Sequence, residues 1–149
     1  MIDDGLVLRD VPTVRDDDDV GHATQVLLRS GLPALPVVDG QDRLVGIFGE
    51  RECITAIFPG YLDQLTHLGF VPRTLDVVLE RDRSSRDAPV AECMNKEHVD
   101  VSPAFSALQI AETFLHHRVS IVPVVDRERI QGIVTRKDFF QAAAGRFLG

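Results

Sequence analysis

Thr135, Arg136, Lys137 and Asp138 follow directly on an apolar run in "RIQGIVTRKDFF" and open a predicted helix. A hydroxyl, two cations and a carboxylate within four residues can grip an anion and a pair of neighbouring hydroxyls together. The free amides of a helix start attract phosphate by themselves, Thr135 adds a donor, and Asp138 adds two acceptor oxygens. The same spacing, [ST]-x-x-[DE], also describes a capping box, in which both side chains serve orphan backbone N–H groups. His117 and Arg118 lie just upstream at the predicted C-terminus of another helix, where the dipole favours positive charge in any case. With Arg136 and Lys137 they would gather cations around one cleft of a chain whose net charge is −7.

The elements that must position these residues occur twice. Pro36 and Pro123 are 87 residues apart, as are the Val-Val-Asp triplets that follow them, and Gly46 and Gly132 are 86 apart because the second turn is one residue shorter. Two copies at that period are too few and too long for a solenoid, so two pseudo-symmetric halves are predicted. In the second, Val99 and Val101 alternate as a short strand and Ser102-Pro103 reads as the start of a helix running to about Arg118. Phe105, Leu108, Ala111 and Leu115, with Ile110 and Phe114, form its predicted buried face. "SIVPVV" and "RIQGIV" then read as strands around the turn Asp126-Arg127-Glu128, with a last helix from Arg136 to about Ala144. The first half repeats this with a helix near 20–30, strands at 34–38 and 44–48, and a helix from Glu50.

Between the halves, Phe58-Pro59-Gly60 breaks the helix, and Leu62, Leu65, Leu68, Leu75, Val78 and Leu79 mark helical insertion; "RDRSSRD", 81–87, reads as a solvated connection. The predicted boundaries are 1–58, 59–92 and 93–149. Asp16 to Asp19 fall at the first helix start, where the dipole accounts for carboxylates without a metal.

Composition excludes several classes. At 149 residues with 44% hydrophobic and 26% charged positions, the chain can bury one sizeable core. No apolar run reaches the roughly 20 residues of a membrane span and no signal peptide opens the chain, which predicts a cytoplasmic protein. Cys53 and Cys93 are not paired in C-x-x-C and read as reduced thiols. An acidic pI near 5.1 argues against nucleic acid as a partner. His22, His67 and His98 are isolated, and no nucleophile elbow, Walker sequence or metalloprotease motif appears, so no catalytic residue and no metal ligand is assigned.

The paired unit ending in "GIVTRKD", with "VPVVD" ahead of it and "PVAECMN" as a lead-in, resembles the cystathionine β-synthase (CBS) domain, which occurs in tandem as a Bateman module. Asn95 stands where a threonine is more usual. The resemblance implies an α/β fold of α+β type: tandem repeats, each strand-helix-strand-strand-helix, packed about a pseudo-two-fold axis. It implies a regulatory ligand, with no cofactor required, of the AMP, ADP, ATP or S-adenosylmethionine class in a cleft between the repeats. On that pattern Asp138 takes the ribose diol, His117 and Arg118 join Thr135, Arg136 and Lys137 around the phosphate, and the adenine lies against Ser120, Ile121 and Val122. The first half departs from it: Gly49 and Glu52 replace the threonine and aspartate, and Ser30 and Gly31 replace the two cations. One competent cleft is therefore expected in the second half, with a weaker one lined by Gly49, Glu52, Ala34 and Leu35. The resemblance also implies a homodimer, joined through stripes containing Phe139, Phe140 and Ala143 and, in the first half, Ile54, Ile57 and Phe58, that acts on an unknown regulated protein. The alternative is a ligand-free dimerisation scaffold.

Overall fold

The computed structural model describes residues 8–58 and 84–149. Val14–Arg15 (β1) leads into the acidic run, which ends in Asp19, the N-cap of Val20–Ser30 (α1); its carboxylate accepts from the His22 amide at 2.6 Å. Asp18 accepts from the Arg15 amide at 3.0 Å and Asp17 pairs with the Arg15 guanidinium at 3.2 Å, so the run is used in turn and cap. Ala34–Val38 (β2) and Leu44–Gly49 (β3) form an antiparallel hairpin beside which β1 lies parallel to β2, and Glu50–Ile57 (α2) follows. The second half repeats the design as Ala107–His116 (α3), Ile121–Asp126 (β4), Arg129–Thr135 (β5) and Arg136–Leu148 (α4). Where β1 would recur, Val101 makes an isolated parallel bridge to Val124.

Two sequence expectations are corrected. The third helix starts at Ala107, because Ser106 and Gln109 complete a reciprocal capping box and Ser102-Pro103 lies in the turn before it. Its buried face is Ile110 and Thr113 with Phe114 alongside, whereas Leu108 and Leu115 are 81% and 80% exposed. Of the inter-repeat stretch, Ser84–Asp87 forms a 3-10 turn packed near α1, with Arg86 beside Gly21, and Val90 is fully buried in the first core. The rest of the predicted helical insertion, Leu62 to Leu79, lies outside the described residues.

Each repeat has its own core, and a third cluster joins them. Phe48, Leu35, Val37 and Val14 pack under α1 and α2, while Val122, Val124, Val134 and Ile110 pack under α3 and α4. Strand residues alternate between faces, so Ala34 and Ile47 project from the opposite side of their hairpin and meet Ile121 and Ile133. Burial on both faces explains why β2 is an unbroken apolar run and β4 is one up to Asp126.

The lead-in of each repeat crosses to the other. Arg9 exchanges backbone hydrogen bonds with Ile133 at 2.9 and 3.1 Å, and Asn95 does the same with Ile47 at 3.0 and 2.8 Å. A Cβ on Gly132 would lie 2.8 Å from both the Arg9 carbonyl oxygen and Leu8 Cγ, so the glycine of the motif is the place where the crossing strand rests. Gly46 has the same relation to Met94 and Asn95.

Candidate functional site

Crossing lead-ins set which residues meet. A polar cleft of about 580 Å³ opens where α2 begins, lined by Ala34, Ile47, Gly49, Glu52 and Asn95 on one side and by His117, Arg118, Val119 and Ser120 on the other. Glu50, Arg51, His116 and Arg136 complete its polar rim. The two cations predicted to join Thr135 and Asp138 thus stand over the first motif. The cause is the antiparallel arrangement of the repeats, which sets the loop before β4 against the start of α2. Arg136 and Ser120 border this cleft and also a larger, apolar groove of about 880 Å³ between α1, α2 and α4, which Lys137 reaches too.

The first motif is shaped by close packing. A Cβ at Gly49 would lie 2.7 Å from the Ala34 Cβ and 2.9 Å from the Pro33 carbonyl oxygen, so threonine does not fit where its counterpart stands in the second half. Glu52 reaches back instead, its Oε1 accepting from the Gly49 amide at 3.0 Å. Burial raises the Glu52 carboxyl above its ordinary range, and the hydrogen bonds from the Gly49 and Glu52 amides act in the opposite direction. Ala34 is buried at the cleft wall, while Leu35 points into the core and does not border it.

The second motif is occupied by the chain itself. Thr135 Oγ1 accepts from the Asp138 amide at 3.1 Å, as a helix cap. The Asp138 carboxylate does not complete a capping box; it takes a two-pronged bond from Arg9, Nε to Oδ2 at 2.5 Å and Nη2 to Oδ1 at 3.0 Å. Ile121 and Val122 are fully buried among strands and border neither cavity. Arg9 was not legible as a site residue, although extending the 86-residue offset back from Asn95 lands on it.

Arg9 holds Asp138 below the usual carboxylate range, the hydrogen bond being the larger cause, with burial opposing and Thr135 assisting. A depressed folded value means that the pair stabilises the protein above the unfolded-state pKa of about 4 and that this contribution is lost as pH falls through the folded value. The melting-temperature gap between wild type and Asp138→Asn should therefore be widest at neutral pH and close on acidification. A gap that stays constant from neutral pH to pH 3 would contradict the pairing.

The CBS-domain family model matches residues 4–59 and 90–145, the two halves described above. The chain belongs to the CBS-domain family. This CBS pair is 30% identical over 139 residues to inosine-5'-monophosphate dehydrogenase of Methanocaldococcus jannaschii, covering 93% of the chain but 23% of the dehydrogenase. The Aquifex aeolicus enzyme of the same name is 28% identical over 136 residues, 90% of the chain and 22% of that protein. The pair thus spans about a quarter of these relatives. Among solved structures, the CBS-pair protein CBSX2 from Arabidopsis thaliana superposes with a TM-score of 0.74 at 21% identity, over 98% of this chain and 95% of that one. A CBSX2 structure in complex with AMP gives 0.69 at 20% identity, over 97% and 96%. Tandem CBS repeats are the fold. Among the described residues no helix is long and apolar enough to cross a membrane.

Proposed function

We propose that this CBS pair is a regulatory module that binds an adenine nucleotide in the first-motif cleft. The phosphate lies toward His117, Arg118 and Arg136 at the start of α2; the adenosine lies against Ala34, Ile47 and Val119, with Glu52 as acceptor for ribose hydroxyls. One observation carries this reading: the cleft joins four cationic or protonatable side chains of the second repeat, His116, His117, Arg118 and Arg136, to apolar strand positions of the first. Its volume falls within the range of small-molecule sites, and AMP in a CBSX2 structure supports the ligand class. The larger groove is apolar where it meets Leu27, Leu28, Ile54 and Phe140, and suits a protein surface better than a phosphate.

That groove underlies the second part of the proposal, a homodimer through α2 and α4. Ile54 and Phe140 stay more than half exposed there; Phe139 instead turns inward, its ring 5.8 Å from that of Phe114, and Ile57 and Phe58 are half-buried. A two-fold axis lets one exposed patch serve both partners. A ligand between the repeats changes the assembly only by binding one arrangement more tightly than another.

Calorimetry with AMP should give about one equivalent per chain, and light scattering a mass twice 16.5 kDa. AMP at millimolar concentration producing neither heat nor a thermal shift would establish the scaffold alternative.

A further inference from the structure

We infer that Arg9 is an internal competitor for Asp138, so that the carboxylate of the second motif is held by the protein's own crossing segment and takes a ligand diol only when that ligand displaces the guanidinium. The inference rests on reading the inter-repeat clefts as nucleoside sites. Three observations carry it. First, the guanidinium fork takes both carboxylate oxygens, the two acceptors that a vicinal diol would need. Second, the side chains of Arg9 and Asp138 are 50% and 7% exposed, which leaves Arg9 on the solvent side of a carboxylate that is otherwise covered. Arg9 is the partner that can leave. Third, the Arg9 backbone is fastened to Ile133 by two hydrogen bonds, so the side chain can swing away while the crossing strand stays paired.

The device exists on one side only. Asn95 holds the mirror position over the first motif, but its side-chain oxygen accepts from the Glu97 amide at 2.9 Å and Glu52 is engaged with Gly49. Among the described residues, the carboxylate of the first motif is therefore free of the crossing segment, whereas that of the second is held by it. A diol entering the second cleft replaces a charged donor pair with a neutral one, so affinity there is set by the competition with Arg9 as much as by direct contacts.

Adenosine is the appropriate probe, because it lacks the phosphate that the first-cleft cations would hold. By calorimetry at pH 7.5, Arg9→Ala should bind adenosine about tenfold or more tightly than wild type. Arg9→Lys, which keeps the charge but loses the fork, should fall between them, and adding Asp138→Ala to Arg9→Ala should abolish the gain. In the wild type, the Arg9 Nε–H resonance should move toward that of a free guanidinium as adenosine is added. Tighter binding with that resonance shift establishes the competition. If folded Arg9→Ala and Arg9→Lys bind adenosine no better than wild type while AMP still binds the first cleft, the inference fails alone. If neither adenosine nor AMP binds any variant, the inference and the nucleotide reading fail together.

Discussion

Arg118→Ala should weaken AMP binding about 10- to 100-fold and leave adenosine binding within about twofold of wild type. Arg118 is exposed at the rim of the first-motif cleft, opposite the start of α2, so truncating it removes a charged donor without opening the core. Arg136 borders the same cleft and contributes a second guanidinium, which is why binding should weaken and not vanish. His117→Ala should act in the same direction with a smaller effect, because an imidazole cannot present the paired, parallel donors of a guanidinium fork. Comparing AMP with adenosine separates phosphate recognition from general damage. Equal losses for both ligands in a variant with unchanged circular dichroism would place Arg118 in the nucleoside part of the site and overturn the proposed orientation.

The largest effect on stability is expected at Phe48. Its ring is fully buried in the first core, on β3 and beneath α1, two residues after the glycine that supports the crossing strand. Truncation to alanine removes the ring and leaves a cavity that well-packed neighbours fill only in part, at a cost of about 3–5 kcal/mol. That is a large share of the roughly 5–15 kcal/mol by which a domain of this kind is stable. Urea denaturation should therefore show a much lower midpoint for Phe48→Ala and little change for Leu108→Ala, whose side chain is 81% exposed. Similar losses in the two variants would contradict the placing of Phe48 in the core and Leu108 outside it.

What was legible in the sequence is what repeats or alternates. Both hairpins, the helix at Val20–Ser30 and the helices opened by Glu50 and Arg136 follow from apolar runs and turn residues, and the structure places them within a residue or two, except that the last helix runs on to Leu148, four residues beyond the predicted Ala144. Leu108 and Leu115 were misread because spacings of three and four give the width of an apolar stripe and not which stripe faces the core. That is decided by the packing of Ile110 and Phe114 on β4 and β5. Many residues that line the candidate cleft were named from the sequence, but their grouping was not legible there. His117 and Arg118 are near Thr135 in sequence and beside Gly49 in space, because the repeats pack antiparallel and each lead-in crosses to its neighbour. Periodicity within one chain carries no record of that crossing. The same is true of Arg9, whose charge had no visible purpose until it was placed on Asp138.

The central claim is that a nucleotide sits between the repeats at the first motif, and backbone amide NMR during an AMP titration tests it most directly. The account predicts shifts concentrated at Ala34, Gly49 to Glu52, Asn95 and His117 to Ser120, saturating at one AMP per chain. Shifts confined to the apolar groove at Leu28, Ile54 and Phe140, or a spectrum unchanged at millimolar AMP, would contradict it.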